Sequence, residues 1–258
     1  QSERAPSAEE LYAFGPHLAT SSFERGNLDL DPESVSSLEV ALLGNHGRLQ
    51  WEVGAFYNHI ADYVFLSETD LGLDADGGGT LDSDGEADRV DEAGNFEAEG
   101  ELLLVDQRQD DAFFYGSEIS ASLVVLESSL LQLSVQVFGD IVRGERDDGG
   151  NLPRVPPMRG GMGFEFGYAD LSGGVRYLRA EEQTRTSALE TSTPGYDLLS
   201  ADLDFPLRIG GKTVTIFVQG RNLLDEKIRL STSLLKDVAP LPGRSIFTGL
   251  RFDFRPPA

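Results

Sequence analysis

The last strand-like segment of the chain constrains the fold more than any other stretch. Between residues 245 and 254, apolar side chains occur at every second position. One face carries Ile246, Thr248, Leu250, Phe252 and Phe254, and the other carries Phe247, Gly249, Arg251 and Asp253. This period of two is that of a β-strand, because successive side chains of a strand point to opposite faces. The segment therefore predicts a strand with one face in an apolar medium.

The same alternation recurs along most of the chain. After residue 33 it marks nine strands, near residues 35–43, 49–65, 102–125, 131–137, 156–167, 171–184, 196–205, 213–222 and 245–254. Residues 1–33 are punctuated by Pro, Gly, Asn and Asp, which favours a long ordered loop. We expect one helical turn there, at Ala8–Ala13, and part of a tenth strand. The pattern predicts a single all-β, antiparallel domain.

The connections between these strands alternate in length. Short turns are predicted at residues 44–47, 126–129, 168–170 and 206–212, and long loops at 67–100, 145–154, 184–194 and 223–243. Short turns at one end and long loops at the other are typical of a transmembrane β-barrel. A soluble β-sandwich also alternates, but it has no reason to place every long loop at one end. The barrel is therefore the favoured architecture.

Charge and composition exclude several classes of function. The 258 residues include 44 Asp and Glu against 21 Lys and Arg, for a formal net charge of −23. Phosphate backbones repel such a chain, so a nucleic-acid partner is not expected. Cysteine is absent, which excludes disulfides and thiolate metal sites. The sequence contains no G-x-S-x-G, H-E-x-x-H or phosphate-binding glycine loop, so we predict that the protein is not an enzyme.

Several segments resemble the barrel of TonB-dependent outer-membrane receptors. They occur in the family's order at residues 10–20, 27–40, 56–63, 114–118, 151–159, 190–196, 222–226 and 242–254. The first of these, ELYAFGPHLAT, is similar to a pattern of the zinc-uptake branch. The resemblance extends over nearly the whole chain.

This resemblance implies a location and a set of partners. Such receptors have a 22-stranded barrel, an N-terminal plug and a segment that contacts TonB. Residues 1–258 resemble roughly the last ten strands, without the plug. Gln1 and its neighbours lack the basic start and apolar core of a signal peptide, so we expect the chain to begin within a longer protein. The implied location is the Gram-negative outer membrane, against lipid and lipopolysaccharide, next to the missing strands and plug.

The implied function is energy-coupled uptake of a scarce nutrient, with a metal ion, zinc first, or a metal chelate as cargo. Haem or a siderophore could replace zinc. Two alternatives stay open at this point. One is a small stand-alone outer-membrane barrel that acts as a porin or an adhesin. The other is a soluble, calcium-binding β protein.

Among the three histidines, His17 is the candidate zinc ligand. Its neutral imidazole is a good ligand for zinc, and it matches the histidine of the zinc-branch pattern. Zinc requires about four ligands, so Glu10 and Glu24 are further candidates within this segment. His46 is expected to be a turn residue, and His59 to be an interface or lumen-facing side chain of a strand.

The loop at residues 67–100 is acidic and rich in glycine. From Asp74 onward it partly resembles a calcium-binding loop, although position five and position twelve of that loop are glycines here. Its candidate oxygen ligands for calcium are Asp74, Asp76, Asp82, Asp84 and Glu86. A solvated acidic loop with no bound cation is the simpler interpretation. No cofactor is required on either interpretation.

Overall fold

The structure, a computed structural model, describes residues 2–70, 87–97, 100–209 and 212–252. One short helix, α1 (Ala8–Tyr12), accompanies thirteen strands. The strands are β1 (Ser2–Arg4), β2 (Phe14–His17), β3 (Ser22–Arg25), β4 (Glu33–His46), β5 (Leu49–Glu68), β6 (Arg89–Val90), β7 (Leu102–Glu127), β8 (Leu131–Arg146), β9 (Arg159–Tyr168), β10 (Leu171–Ala180), β11 (Tyr196–Ile209), β12 (Lys212–Arg221) and β13 (Ser245–Phe252). No helix in these ranges is long and apolar enough to span a membrane.

All thirteen strands of the described residues belong to one sheet. Its main path runs β1-β4-β5-β7-β8-β9-β10-β11-β12-β13, and each neighbouring pair along that path is antiparallel. Nine of these strands follow residue 33, which confirms the predicted number. The predicted tenth strand is β1, which pairs with the start of β4. Within the described residues, β1 and β13 are the two edges of an open sheet.

The two ends of the sheet differ as the connection lengths predict. At the short-turn end, two residues join β4 to β5, three join β7 to β8, and two join β9 to β10. At the long-loop end lie the connections 147–158, 181–195 and 222–244. The turn predicted at 44–47 is wrong in detail, because pairing of His46 with Leu49 confines the turn to Gly47 and Arg48. Gly47 has φ +63°, a conformation that favours glycine.

The sheet has an apolar face and a polar face. On the apolar face, large side chains are exposed: Leu38 is 66%, Ile119 53% and Ile246 68% accessible. The buried apolar residues lie instead at the long-loop end: Phe23, Val64, Val90, Leu102, Leu104, Val105, Ala112, Leu152, Val155, Ala180 and Ile228. A soluble sandwich would bury its apolar strand face in a core. Exposure of that face here is the arrangement of a membrane barrel wall.

Beyond its neighbours, β7 extends at the long-loop end. There β3 pairs with it in parallel on one edge, and β6 pairs antiparallel on the other. Phe23, Val90, Leu102 and Leu104 form a small buried core in this extension. The prediction of α1 is confirmed, but the loop predicted for the rest of residues 1–33 is wrong, because β2 and β3 form there in addition to β1.

The loops of the long-loop end are bonded to one another. Lys236 is buried, and its Nζ donates to Oγ1 of Thr191 at 2.7 Å and of Thr193 at 3.1 Å. The carbonyl of Val155 accepts from Nε2 of Gln183 at 2.7 Å and from Oγ of Ser231 at 3.3 Å. These bonds connect the loops 147–158, 181–195 and 222–244 into one unit above the sheet.

Candidate metal-binding site

The hairpin of β2 and β3 carries His17 at its tip, at the long-loop end. His17 pairs with Ser22, and residues 18–21 form the turn between them. The Thr20 amide donates to the His17 carbonyl at 3.2 Å, and the Thr20 hydroxyl donates to the same oxygen at 3.1 Å. Because β3 also pairs with β7, the base of the hairpin is anchored to the sheet. The turn therefore presents His17 on a fixed support.

Two acceptors surround Nδ1 of His17. Oε1 of Glu24 lies at 3.1 Å, and Oγ1 of Thr20 lies at 2.7 Å. A carboxylate oxygen accepts hydrogen bonds, so the contact with Glu24 favours the tautomer of His17 that carries its proton on Nδ1. That tautomer leaves the lone pair on Nε2, and the His17 side chain is 41% exposed. The imidazole is therefore oriented to offer Nε2 to a ligand from solution.

Glu10 lies in the same segment but is occupied by other groups. Its carboxylate accepts from Nη1 and Nη2 of Arg4 at 2.9 and 3.0 Å, and from the Ser7 amide at 2.6 Å. The Glu10 amide in turn bonds to Oγ of Ser7, which completes a capping box at the start of α1. Burial raises the pKa of Glu10, but the bonds from Arg4 and Ser7 outweigh it and hold that pKa below its ordinary value.

The structure thus brings together two of the three residues predicted as zinc ligands. His17 and Glu24 are in contact, whereas Glu10 is bonded to Arg4 and Ser7. In the part of the chain that the structure describes, no three His, Cys, Asp or Glu side chains are grouped so as to hold a metal ion. The Ser-x-x-Glu spacing of Ser7 and Glu10 is a sequence signal of a capping role, and it marks this carboxylate as occupied.

The remaining candidates lie elsewhere. The predicted calcium ligands Asp74, Asp76, Asp82, Asp84 and Glu86 fall outside the described residues. His46 is the last residue of β4 rather than a turn residue, at the short-turn end. His59 lies in β5, where its ring stacks on Phe113 at 5.0 Å and its Nε2 lies 3.0 Å from Oδ2 of Asp111.

The polar face of the sheet carries a group of charged residues on neighbouring strands. Glu118 of β7 pairs in register with Asp140 of β8, which pairs with Arg159 of β9. Nη2 of Arg159 bonds to Oδ2 of Asp140 at 3.0 Å. The Arg176 guanidinium lies 3.7 Å from the centre of the Phe138 ring. Their common face follows from strand alternation, but the ion pairs depend on register.

A family comparison identifies this arrangement of strands. Residues 1–223 match the family model described as "TonB dependent receptor-like, beta-barrel". The chain belongs to the TonB-dependent receptor family. Proteins of this family are bacterial outer-membrane transporters and not enzymes, which confirms the predicted class and location. The long-loop end is accordingly the extracellular end, and the short turns are periplasmic.

Solved structures share the fold. The copper transporter OprC is 18% identical with a TM-score of 0.71, over 98% of this chain and 36% of its own. The siderophore receptor PirA from Acinetobacter baumannii is 16% identical with a TM-score of 0.63, over 98% and 38%. The pyoverdine receptor FpvA from Pseudomonas aeruginosa PAO1 is 15% identical with a TM-score of 0.56, over 93% and 32%. The chain therefore spans about a third of these structures.

Proposed function

We propose that this chain forms part of the barrel wall of a TonB-dependent receptor that imports a metal ion or a metal chelate. In that receptor the polar face lines the lumen against a plug, which couples to TonB. The apolar face contacts membrane lipid, with lipopolysaccharide in the outer leaflet. Family membership supports this assembly, and so does the contrast between the two faces of the sheet.

The observation that supports a metal cargo is the geometry of His17. A metal-bound histidine usually donates its second ring N–H to a carboxylate or another acceptor, which fixes the tautomer and the ring orientation. The contact of Nδ1 with Glu24 has this form, and the His17 side chain is 41% exposed at the extracellular end. We assign His17 as a capture ligand and Glu24 as its positioning residue. Glu10 has a structural role in α1.

Zinc is the first candidate cargo and copper the second, since imidazole suits both ions. The similarity in fold to a copper transporter supports the class of cargo and not the individual ion. The other metal ligands would be water, the chelator or other parts of the receptor. Haem or an iron siderophore is the alternative cargo.

A second cation site is proposed in the acidic loop at residues 67–100. Carboxylates at Asp74, Asp76, Asp82, Asp84 and Glu86 are the hard oxygen ligands that calcium prefers. Calcium there would gather near the mouth of the receptor. Titration of the receptor with calcium tests this site, and absence of any binding heat would remove it.

The experiment for the main proposal is calorimetric titration of the purified receptor with zinc and with copper. His17→Ala is expected to lower the affinity for the transported ion at least tenfold. His46→Ala removes a histidine from the periplasmic end and is the matched control, with no change expected. Equal affinity of wild type and His17→Ala for both ions would contradict the assignment of His17.

A further inference from the structure

Two adjoining grooves indent the apolar face near its extracellular end. The larger has a volume of about 660 Å³, and its floor is the pair Gly139 and Gly160, which lie opposite each other on β8 and β9. Its walls are formed mainly by Ile119, Ile141, Met158, Met162 and Tyr177. The smaller, of about 450 Å³, lies between Tyr57, Tyr115 and Ile141. The two share Ser117 and Ile141, so they form one continuous surface.

Position along the strands places these grooves in the outer leaflet. Tyr57 lies eight residues beyond Leu49, the first residue of β5 at the periplasmic end. Eight steps of a strand cover about 26 Å, close to the length of a tilted strand within the apolar band. Tyr57 and its paired residue Tyr115 then lie at the level of the extracellular aromatic girdle. The grooves below them face lipid chains and continue the membrane-facing surface of the barrel.

Each groove has an arginine at its extracellular end. Arg179 borders the larger groove and Arg143 the smaller. Arg179 is already paired, with Asp197 at 3.1 Å and with Glu181 at 3.6 Å. Arg143 differs, because no carboxylate of the described residues forms a salt bridge with it. Its guanidinium donates to the carbonyl of Val142 at 3.3 Å.

The carboxylate closest to Arg143 in the sequence, Glu145, is engaged by other groups. It accepts from Nη2 of Arg185 and from Oη of Tyr115. The guanidinium of Arg143 can therefore bind an anion at the membrane surface, where the available anions are lipid phosphates. A guanidinium binds phosphate through two parallel N–H donors, which favours this pairing.

We propose that the two grooves form a docking site for lipopolysaccharide. Its acyl chains occupy the grooves, and a phosphate of its sugar headgroup binds Arg143. The occupant needs several chains and a phosphate on one molecule, and it must come from the outer leaflet, where lipopolysaccharide is the lipid. This inference rests on the proposed outer-membrane assembly and is independent of the metal cargo.

The test measures the lipopolysaccharide that stays with the purified receptor after detergent exchange, against added phosphatidylethanolamine. In Gly160→Leu the new side chain enters the larger groove. A Cβ at this position meets its nearest atom, the Phe138 carbonyl oxygen, at 3.7 Å, so the backbone need not move. Arg143→Gln removes the phosphate partner. Each variant is expected to lower retained lipopolysaccharide at least threefold.

Two control variants match these changes. Thr248→Leu adds bulk on the apolar face of β13 away from the grooves, and Arg48→Gln removes a positive charge at the periplasmic turn. Both should retain lipopolysaccharide as the wild type does, and heat-shifted gel mobility confirms that every variant folds. Wild-type retention in both Gly160→Leu and Arg143→Gln, or equal retention of phosphatidylethanolamine, would overturn the proposal. His17→Ala should leave retention unchanged, which separates this result from the metal assignment.

Discussion

Nδ1 of His17 lies 3.1 Å from Oε1 of Glu24, in the hairpin that β2 and β3 form at the extracellular end. Glu24 is only 11% exposed in its side chain, whereas His17 is 41% exposed. The carboxylate is therefore held behind the imidazole while the ring faces solution. Such a pair can position an exposed metal ligand. His59 also contacts a carboxylate, but its partner Asp111 is 45% exposed and its ring stacks on Phe113, so the buried carboxylate is what distinguishes His17.

If Glu24 positions His17, Glu24→Gln should weaken metal binding without abolishing it. Loss of such a supporting carboxylate typically costs about 10- to 100-fold in metal affinity. Titration of the purified receptor with its transported ion measures the effect. Glu9→Gln, an exposed change in α1, is the control and should bind as the wild type does. Unchanged affinity in Glu24→Gln would show that the contact has no part in binding.

The start of α1 should loosen in acid. Burial raises the pKa of Glu10, but the bonds from Arg4 and Ser7 lower it by more than burial raises it. The pKa therefore lies below the ordinary value of 4.5. A lowered pKa means that the ionised group stabilises the fold above pH 4.5, and that this contribution is lost as pH falls through the lowered value. Hydrogen exchange at the Leu11 and Ala13 amides should show falling protection in that range. In Glu10→Gln this pH dependence should disappear, and its persistence would refute the assignment.

The strands could be predicted because one property, a period of two, runs through all nine of the long ones. The short strands could not. β2, β3 and β6 have two to four residues each. β3 and β6 are strands because β7 extends beyond its neighbours and offers unpaired edges, and β2 pairs in turn with β3. Propensity within so few residues carries little information, since tertiary pairing decides the outcome.

The core of that extension should be sensitive to loss of Phe23. This ring is 2% exposed and meets Phe14 edge to face at a centroid distance of 5.1 Å. Phe23→Ala should lower the local unfolding free energy by about 3–5 kcal/mol. Hydrogen exchange at the amides of β3 and β6 measures it. Leu18→Ala, at a 74% exposed site in the hairpin turn, should change protection little. Equal effects of the two variants would contradict the burial of Phe23.

Two adjacent glycines of β9 should respond differently to alanine. A Cβ at Gly161 would lie 2.5 Å from Cζ of Phe138 and would also collide with the Tyr177 carbonyl oxygen. A Cβ at Gly160 meets no atom closer than 3.7 Å. Gly161→Ala should therefore destabilise the barrel by about 1–3 kcal/mol, while Gly160→Ala should be close to neutral. Urea unfolding in detergent compares them, and equal midpoints would contradict the face assignment of β9.

The candidate site, like the short strands, was only partly predictable from the sequence, because tertiary pairing decides which side chains meet. The family resemblance pointed to His17, and Glu24, like Glu10, was predicted as an acid nearby; the contact of His17 with Glu24 depends on the hairpin register. Glu10 was predicted as a third ligand because it is an acid nearby. Its partner Arg4 is also bonded to Glu33 of β4, a contact across 29 positions of sequence that no local pattern predicts.

The most direct measurement of the central claim is metal accumulation by cells that express the receptor, measured by elemental mass spectrometry at limiting zinc or copper. The account predicts accumulation above that of cells without the receptor, dependent on TonB and reduced by His17→Ala but not by His46→Ala. Accumulation identical to that of cells lacking the receptor, for both ions, would contradict it and leave a metal chelate as the cargo to test.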